Sequence, residues 1–291
     1  MQNVYEQVSQ NKTRSGLLIG LFISFVTISV FLVTNTLDLD SSFTFFAFLF
    51  SGGSSIISFF YGDKIVLALN KAKPALRQDY FDYYTAVENL SLASQIPMPK
   101  IYTIKSMSPN AFATGNSPKN AVICVTTGLL EKLNRSELEA VISHELSHIK
   151  NYDTRLMTIV SVLLGTLTIL INSTRRSTIR GKRNKDSSAV FQLLGLILII
   201  FAPLIGRLIQ FAISRQREYL ADSAGVKLTR QPQSLISALQ KISSDPNILS
   251  QASTATASLY ITNPFKKNKL TSLFSTHPPI EKRIQALNQM L

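Results

Sequence analysis

Ser136-Glu-Leu-Glu-Ala-Val-Ile-Ser-His144-Glu145-Leu-Ser-His148-Ile149 is the stretch from which the rest of the chain can be read outward. Ser136 and Glu139 have capping-box spacing, and apolar residues at 138, 141, 142, 146 and 149 recur at helical period, so a one-sided helix is expected. His144 and His148 stand at i and i+4, one turn apart on one face, where two imidazoles can reach a single metal ion. Zn2+ suits neutral nitrogen donors, and one ion per chain is expected; Glu145 is then close enough to act as general base on a water held by that ion. Only three histidines exist in 291 residues, so histidine chemistry is confined to His144, His148 and His277. The single cysteine, Cys124, excludes a Cys-based zinc site and an intramolecular disulfide framework.

Two histidines need a third ligand. Ser214-Arg-Gln-Arg-Glu218-Tyr-Leu-Ala-Asp222 reads as helix, with Glu218 and Asp222 one turn apart on one face. A carboxylate completes a His/His/Glu site, and a second one can accept the other ring N–H of a ligating histidine and fix its orientation. Glu218 is therefore assigned to the metal and Asp222 to that orienting role. Spacing alone favours a solvated acidic pair beside Arg215 and Arg217, and the return of the chain to one side of the membrane is what tips the reading to the metal. Asp153, just past the histidine helix, reads as either a partner behind a metal ligand or an ordinary helix-end residue, with the latter favoured.

Charged residues are only 16 % of the chain although Lys and Arg exceed Asp and Glu enough to give +13. Four runs carry no charge at all: Ser15–Leu37, Ser41–Gly62, Leu156–Thr174 and Ser187–Gly206. Each is long enough, at about 1.5 Å per residue, to cover most of a ~30 Å hydrocarbon core. The second holds Ser51, Gly52, Gly53, Ser54 and Ser55, which reads as a close helix contact or as a weak point in the span. The surplus basic residues lie beside the runs and not on one aromatic-rich soluble surface, which favours a lipid bilayer over nucleic acid as the anionic partner. Lys12 and Arg14 before the first run, with Asp38 and Asp40 after it, place the N-terminus on the cytoplasmic side, and two crossings return residues 63–155 there. Runs three and four flank a loop with Arg175, Arg176, Arg180, Lys182, Arg183 and Lys185. They either span against the positive-inside rule or form a hairpin that does not cross, and both arrangements bring Glu218 back to the side of His148.

The expected organisation is thus two N-terminal transmembrane helices over 1–62, a cytoplasmic catalytic part over 63–155, two further hydrophobic helices over 156–206, and a cytoplasmic part with the third ligand over 207–291. A helix is expected from about Asp79 to Ser94, strands over Lys100–Lys105 and Ala121–Thr126, and a turn-rich stretch between them. The fold class is mainly α with a small β-sheet, in a multi-pass membrane protein. Residues 244–275, rich in Ser, Thr, Ala and Asn, read as a loop or a flap over the cleft. An amphipathic helix is expected after Pro279.

Four motifs in order, Asn110-Ala-Phe-Ala-Thr-Gly115, His144-Glu-Leu-Ser-His148, Ser214 to Asp222, and Thr276-His-Pro-Pro279 with Arg283, resemble the HtpX family of membrane-bound zinc metalloproteases, relatives of the CAAX prenyl proteases. The resemblance implies a gluzincin-like zinc metalloprotease domain with His144, His148 and Glu218 on the metal and Glu145 as base. It implies that Asn110, Ala111 and Phe112 lie on an edge strand that holds substrate by backbone pairing. It also implies that His277 and Arg283 approach the site and steady an oxyanion or the substrate, whereas read alone His277 before Pro278-Pro279 is a helix-start residue and Arg283 a solvated one. Family members cleave damaged or misassembled membrane proteins from the cytoplasmic side of the bacterial inner membrane and are linked to envelope stress. Two other readings remain open from the residues: a narrow-specificity processing protease, and a basic membrane scaffold without catalysis.

Overall fold

The computed structural model describes residues 4–36, 38, 40–179, 215–249, 252, 255–262, 264 and 278–291. Helices α1 (Val4–Thr36) and α2 (Ser42–Leu69) form a hairpin, each more than ~40 Å long at 1.5 Å per residue. The other helices are α3 (Phe81–Ser94), α4 (Thr127–Lys132), α5 (Arg135–Lys150), α6 (Asp153–Ile179), α7 (Arg215–Thr229), α8 (Pro232–Ser244) and α9 (Ile280–Asn288). Strands β1 (Lys73–Pro74), β2 (Lys100–Ile104), β3 (Ala111–Thr114) and β4 (Val122–Thr126) form a sheet of order β1-β2-β4-β3. β2 and β4 are parallel, with Lys100 opposite Val122 and Ile104 opposite Thr126, while β3 returns antiparallel on the outer side of β4.

The sheet has a core on each face. Alternation along β4 sends Ile123 and Val125 to one side, where they join Ala111 and Ala113 of β3 beneath α3, α5 and α8. Val122 and Cys124 point to the other side and pack with Phe112, Leu156, Val160 and the end of α2. The two alanines leave little side chain between β3 and α5, so the histidine helix packs directly against this edge of the sheet.

α2 is apolar on its outward face and small and polar on its buried one, while α1 buries Leu18, Phe22 and Val26. Phe45, Phe46, Phe48, Ile56, Ile57 and Phe60 are exposed on α2, while Ser51, Ser55, Ser58 and Gly62 line its buried face. Ser58 Oγ donates to the Ile159 carbonyl at 3.4 Å, and a Cβ on Gly62 would lie 2.6 Å from Thr158 Cγ2. α2 thus runs unbroken through Ser51–Ser55, and its close contact with α6 lies further along, at Ser58 and Gly62, whereas a Cβ on Gly52 or Gly53 would meet nothing within 4 Å. Two helices among the described residues, α1 from Glu6 and α2, are long and apolar enough to cross a membrane. The third run lies in α6, whose residues Leu156, Ile159, Val160 and Leu163 are buried against the hairpin and the sheet. The fourth run, the basic loop beyond Ile179 and His277 lie outside the described residues.

Three local readings differ from expectation. The cap of α5 is Asn134, whose side chain accepts the Glu137 amide while Glu137 reaches back to the Asn134 amide, two residues before the Ser136/Glu139 pair. Asn134 wins because Glu137 is tied down a second time, by Ser237 and Lys241 of α8 at 2.6 and 2.7 Å. Residues 111–114 are a fully buried strand where local sequence reads as a turn, because Ala-Phe-Ala-Thr gains its order from β4 and α5. Arg283, whose place in the sequence alone suggests a solvated residue, is 0 % exposed.

Candidate metal centre

α5 carries His144 and His148 on its buried face, and α7 packs alongside it. Gly225 permits that approach, since a Cβ there would meet Ser143 Oγ at 2.9 Å and the His144 amide at 3.2 Å. Two turns earlier on α7, Glu218 faces the histidines: its Oε2 is 3.7 Å from His144 Nε2 and its Oε1 is 3.6 Å from His148 Nε2. The two Nε2 atoms are 3.2 Å apart, and one donor atom from each of the three residues lies within 4.8 Å of the others. All three residues are at most 5 % exposed.

Each ring is held from behind by a carboxylate. His144 Nδ1 donates to Asp222 Oδ1 at 2.8 Å, and His148 Nδ1 donates to Asp153 Oδ2 at 3.0 Å. Both Nε2 lone pairs are thereby turned towards Glu218, the tautomer a metal ligand requires. Asp153 is therefore no ordinary helix-end residue. Its other oxygen accepts from Asn11 Nδ2 of α1 at 2.7 Å, and Arg217 Nη1 stands 3.4 Å away. Asn11 also donates to the Asn151 carbonyl at 2.8 Å. Nothing in the sequence singles out Asn11, because it lies more than a hundred residues from its partners and beside an apolar run.

Arg283 of α9 closes the opposite side. Nε and Nη2 donate to the two oxygens of Asp222 at 2.8 and 2.6 Å, a bidentate pair, and Nη1 stands 3.6 Å from Glu218 Oε2. Nη2 is also 3.4 Å from His144 Nδ1. Both atoms carry hydrogens directed at Asp222, so this proximity is a consequence of sharing the carboxylate and not a bond of its own. Burial alone would raise Asp222, but the Arg283 charge overrides it and holds its carboxyl down at about 2. Burial would equally discharge Arg283, and Asp222 keeps it protonated.

The donor set fits a dication. Glu145, Asp153, Glu218 and Asp222 are all buried in and around the cluster, where Arg217 and Arg283 are the arginines that oppose them, so buried carboxyl groups outnumber guanidinium groups. Burial pushes His148 down, yet its hydrogen bond to Asp153 and the Glu218 charge prevail and lift it to about 9. The cluster attracts a cation at the point where two imidazole nitrogens and a carboxylate converge, and two nitrogens with one oxygen are a zinc ligand set. Glu145 is 3 % exposed, adjacent to His144, and its charge is felt by both His148 and Arg283.

Ala111 and Phe112 begin β3, the outer strand of the sheet against which α5 packs, and Asn110 immediately precedes it. Residues 82–291 match the family model described as Peptidase family M48. A relative from Dictyoglomus turgidum, named Protease HtpX homolog, is 41 % identical over 287 residues, covering 98 % of this chain and 94 % of that one. A relative of the same name from Streptococcus equi subsp. equi is 42 % identical over 299 residues, covering 99 % and 100 %. The crystal structure of S. mikatae Ste24p shares the fold, with a TM-score of 0.52 at 17 % identity; the match covers 97 % of this chain and 66 % of that one. With the family model spanning most of its length and full-length relatives at about this identity, the chain belongs to peptidase family M48.

Proposed function

We propose that this protein is a membrane-anchored zinc endopeptidase that hydrolyses peptide bonds of misfolded or damaged membrane proteins at the cytoplasmic face of a bacterial inner membrane. The observation that carries the reading is the convergence of His144, His148 and Glu218, each histidine turned to the same point by its own carboxylate, with Glu145 beside them. His144, His148 and Glu218 would hold Zn2+, which supplies Lewis acidity towards a peptide carbonyl and a water. Glu145 takes a proton at its carboxylate from the attacking water and returns it to the leaving amine. Asp222 and Asp153 keep the Nδ1 protons of the two ligands in place, and Arg283 holds Asp222 ionised. The edge of β3 binds the substrate backbone in extended form, which selects for unfolded segments more than for any sequence.

Residues 1–62 serve as the anchor, and residues 63–155 and 207–291 supply the catalytic parts. In support, the outward face of α2 carries phenylalanines and its inward face serines, the reverse of a helix in water. The open end of the hairpin, at Asn11 and Asn70, lies against the catalytic part, with Lys12 and Arg14 on that side. The test is cleavage of casein and of a denatured membrane protein by detergent-purified protein. Cleavage abolished by chelation and by Glu145→Gln supports the reading, and cleavage that persists in both overturns it.

A further inference from the structure

The outer edge of β3 is already paired in this structure. Phe112 forms an antiparallel bridge with Tyr260, and the Ile261 amide donates to the Ala111 carbonyl at 2.9 Å. Asn110 brackets the next residue: its Nδ2 donates to the Thr262 carbonyl at 3.1 Å and its Oδ1 accepts the Thr262 amide at 3.4 Å. The Ile261 carbonyl accepts from Arg283 Nη1 at 3.3 Å, the same nitrogen that stands 3.6 Å from Glu218 Oε2. A single guanidinium group thus separates this backbone from a residue of the metal cluster.

Every one of these contacts is made to main-chain amides and carbonyls of residues 261 and 262, so any extended peptide in the same register would make them too. One strand edge offers one row of such groups. A second peptide cannot use it while these residues do. What is particular to this segment is its side-chain anchorage, and that lies away from the metal. The Tyr260 ring packs edge-on against Phe112 with centroids 5.1 Å apart, and its hydroxyl donates to Asn70 Oδ1 at 2.8 Å. Thr256 Oγ1 donates to the same oxygen at 3.2 Å. Asn70 is the fully buried C-cap of α2, so the segment is moored to the end of the hairpin.

We propose that residues 259–262 occupy the peptide-binding edge of this site as an internal occupant, anchored to α2 through Asn70, and that a substrate binds only after they leave. The proposal rests on the endopeptidase reading of the site. It makes the apparent affinity for an extended peptide equal to the intrinsic affinity multiplied by the fraction of molecules with the edge vacated. It also ties that fraction to the position of the hairpin helix that carries Asn70.

The test measures binding, so that it does not depend on turnover. Full-length zinc-loaded protein in the Glu145→Gln background is titrated into a fluorescent Ala-Ser-Leu-Tyr-Ile-Thr peptide, the sequence of residues 257–262, and anisotropy is followed. Tyr260→Phe removes the hydroxyl anchor and is expected to tighten binding about fivefold, the worth of one hydrogen bond. Ile261→Pro removes the amide that pairs with Ala111 and is expected to tighten it at least as much. Tyr260→Phe leaves the ring in place and guards against a fold failure in the proline variant. Peptide affinity unchanged within 1.5-fold in folded Tyr260→Phe protein, or no peptide binding in any variant, overturns the proposal. Cleavage by the parent protein against Glu145→Gln separately decides the endopeptidase reading.

Discussion

Replacing Asn11 by alanine reaches the metal site from a helix that no metal ligand occupies. The Asn11 amide donates to Asp153 Oδ1 at 2.7 Å and to the Asn151 carbonyl at 2.8 Å, and at 3 % exposure both bonds are buried. A hydrogen bond to a charged group contributes about 1.5–3 kcal/mol and a neutral one about 1 kcal/mol. Arg217, 3.4 Å from the same Asp153 oxygen, retains part of the restraint, so the net cost to stability is placed at about 2 kcal/mol. Asp153 would then orient His148 less firmly, and loss of such outer partners typically weakens metal affinity about 10–100-fold. With Arg217 still present, Asn11→Ala is expected at the lower limit, about tenfold weaker for Zn2+. Competition against a chromophoric chelator measures the affinity, and thermal unfolding with and without metal measures the stability. Asn11→Asp, which sets a carboxylate against Asp153, should weaken zinc further. Zinc affinity of Asn11→Ala within twofold of the parent would refute the chain of contacts from α1 through Asp153 to His148.

Other expectations follow from single contacts. Arg283→Ala leaves Asp222 buried without its bidentate partner and should destabilise the protein by about 3–5 kcal/mol in urea unfolding, with Arg283→Lys restoring only part. Gly62→Ala forces Thr158 to move, and Thr158 Oγ1 holds Thr114 at 2.8 Å and the Gly115 amide at 3.2 Å; a loss of about 1–3 kcal/mol is expected, with faster hydrogen exchange at the end of β3. Burial raises Glu137, but its bonds to Lys241, Ser237 and Asn134 prevail and its pKa is lowered on folding. The stability it contributes is therefore present above the ordinary glutamate range and is lost as pH falls through the lowered value. Glu137→Gln should flatten the acid limb of the stability curve below about pH 4.5, the ordinary glutamate value, and leave the neutral plateau lower by about 1–2 kcal/mol.

Local spacing made the α5 helix, both histidines and the Glu218/Asp222 pair legible, because i and i+4 on a helix fix a shared face whatever surrounds it. Joining α7 to α5 needed a different argument, the pairing of apolar runs that return the chain to one side. What stayed hidden depends on tertiary neighbours. Asn11 and Asp153 are adjacent only through helix packing, and Ala111–Thr114 is a strand only because β4 and α5 flank it. Arg283 reads as solvated until Asp222 and Glu218 surround it, and the pairing of Ile261 with Ala111 spans a segment with no periodic signal of its own. The serine and glycine stretch of α2 allowed two readings. The helix continues through it without a break, and the close approach to α6 comes two turns later, at Gly62 against Thr158.

Metal content and proteolysis measured side by side on the parent protein, Glu218→Ala and Glu145→Gln test the central claim most directly. The parent is expected to hold about one zinc per chain and to cleave casein. Glu218→Ala should lose both the metal and the activity, whereas Glu145→Gln should keep the metal and lose cleavage by about a thousandfold or more, since it removes a general base and nothing else. Undiminished zinc in Glu218→Ala, or parental cleavage by Glu145→Gln, would contradict the account.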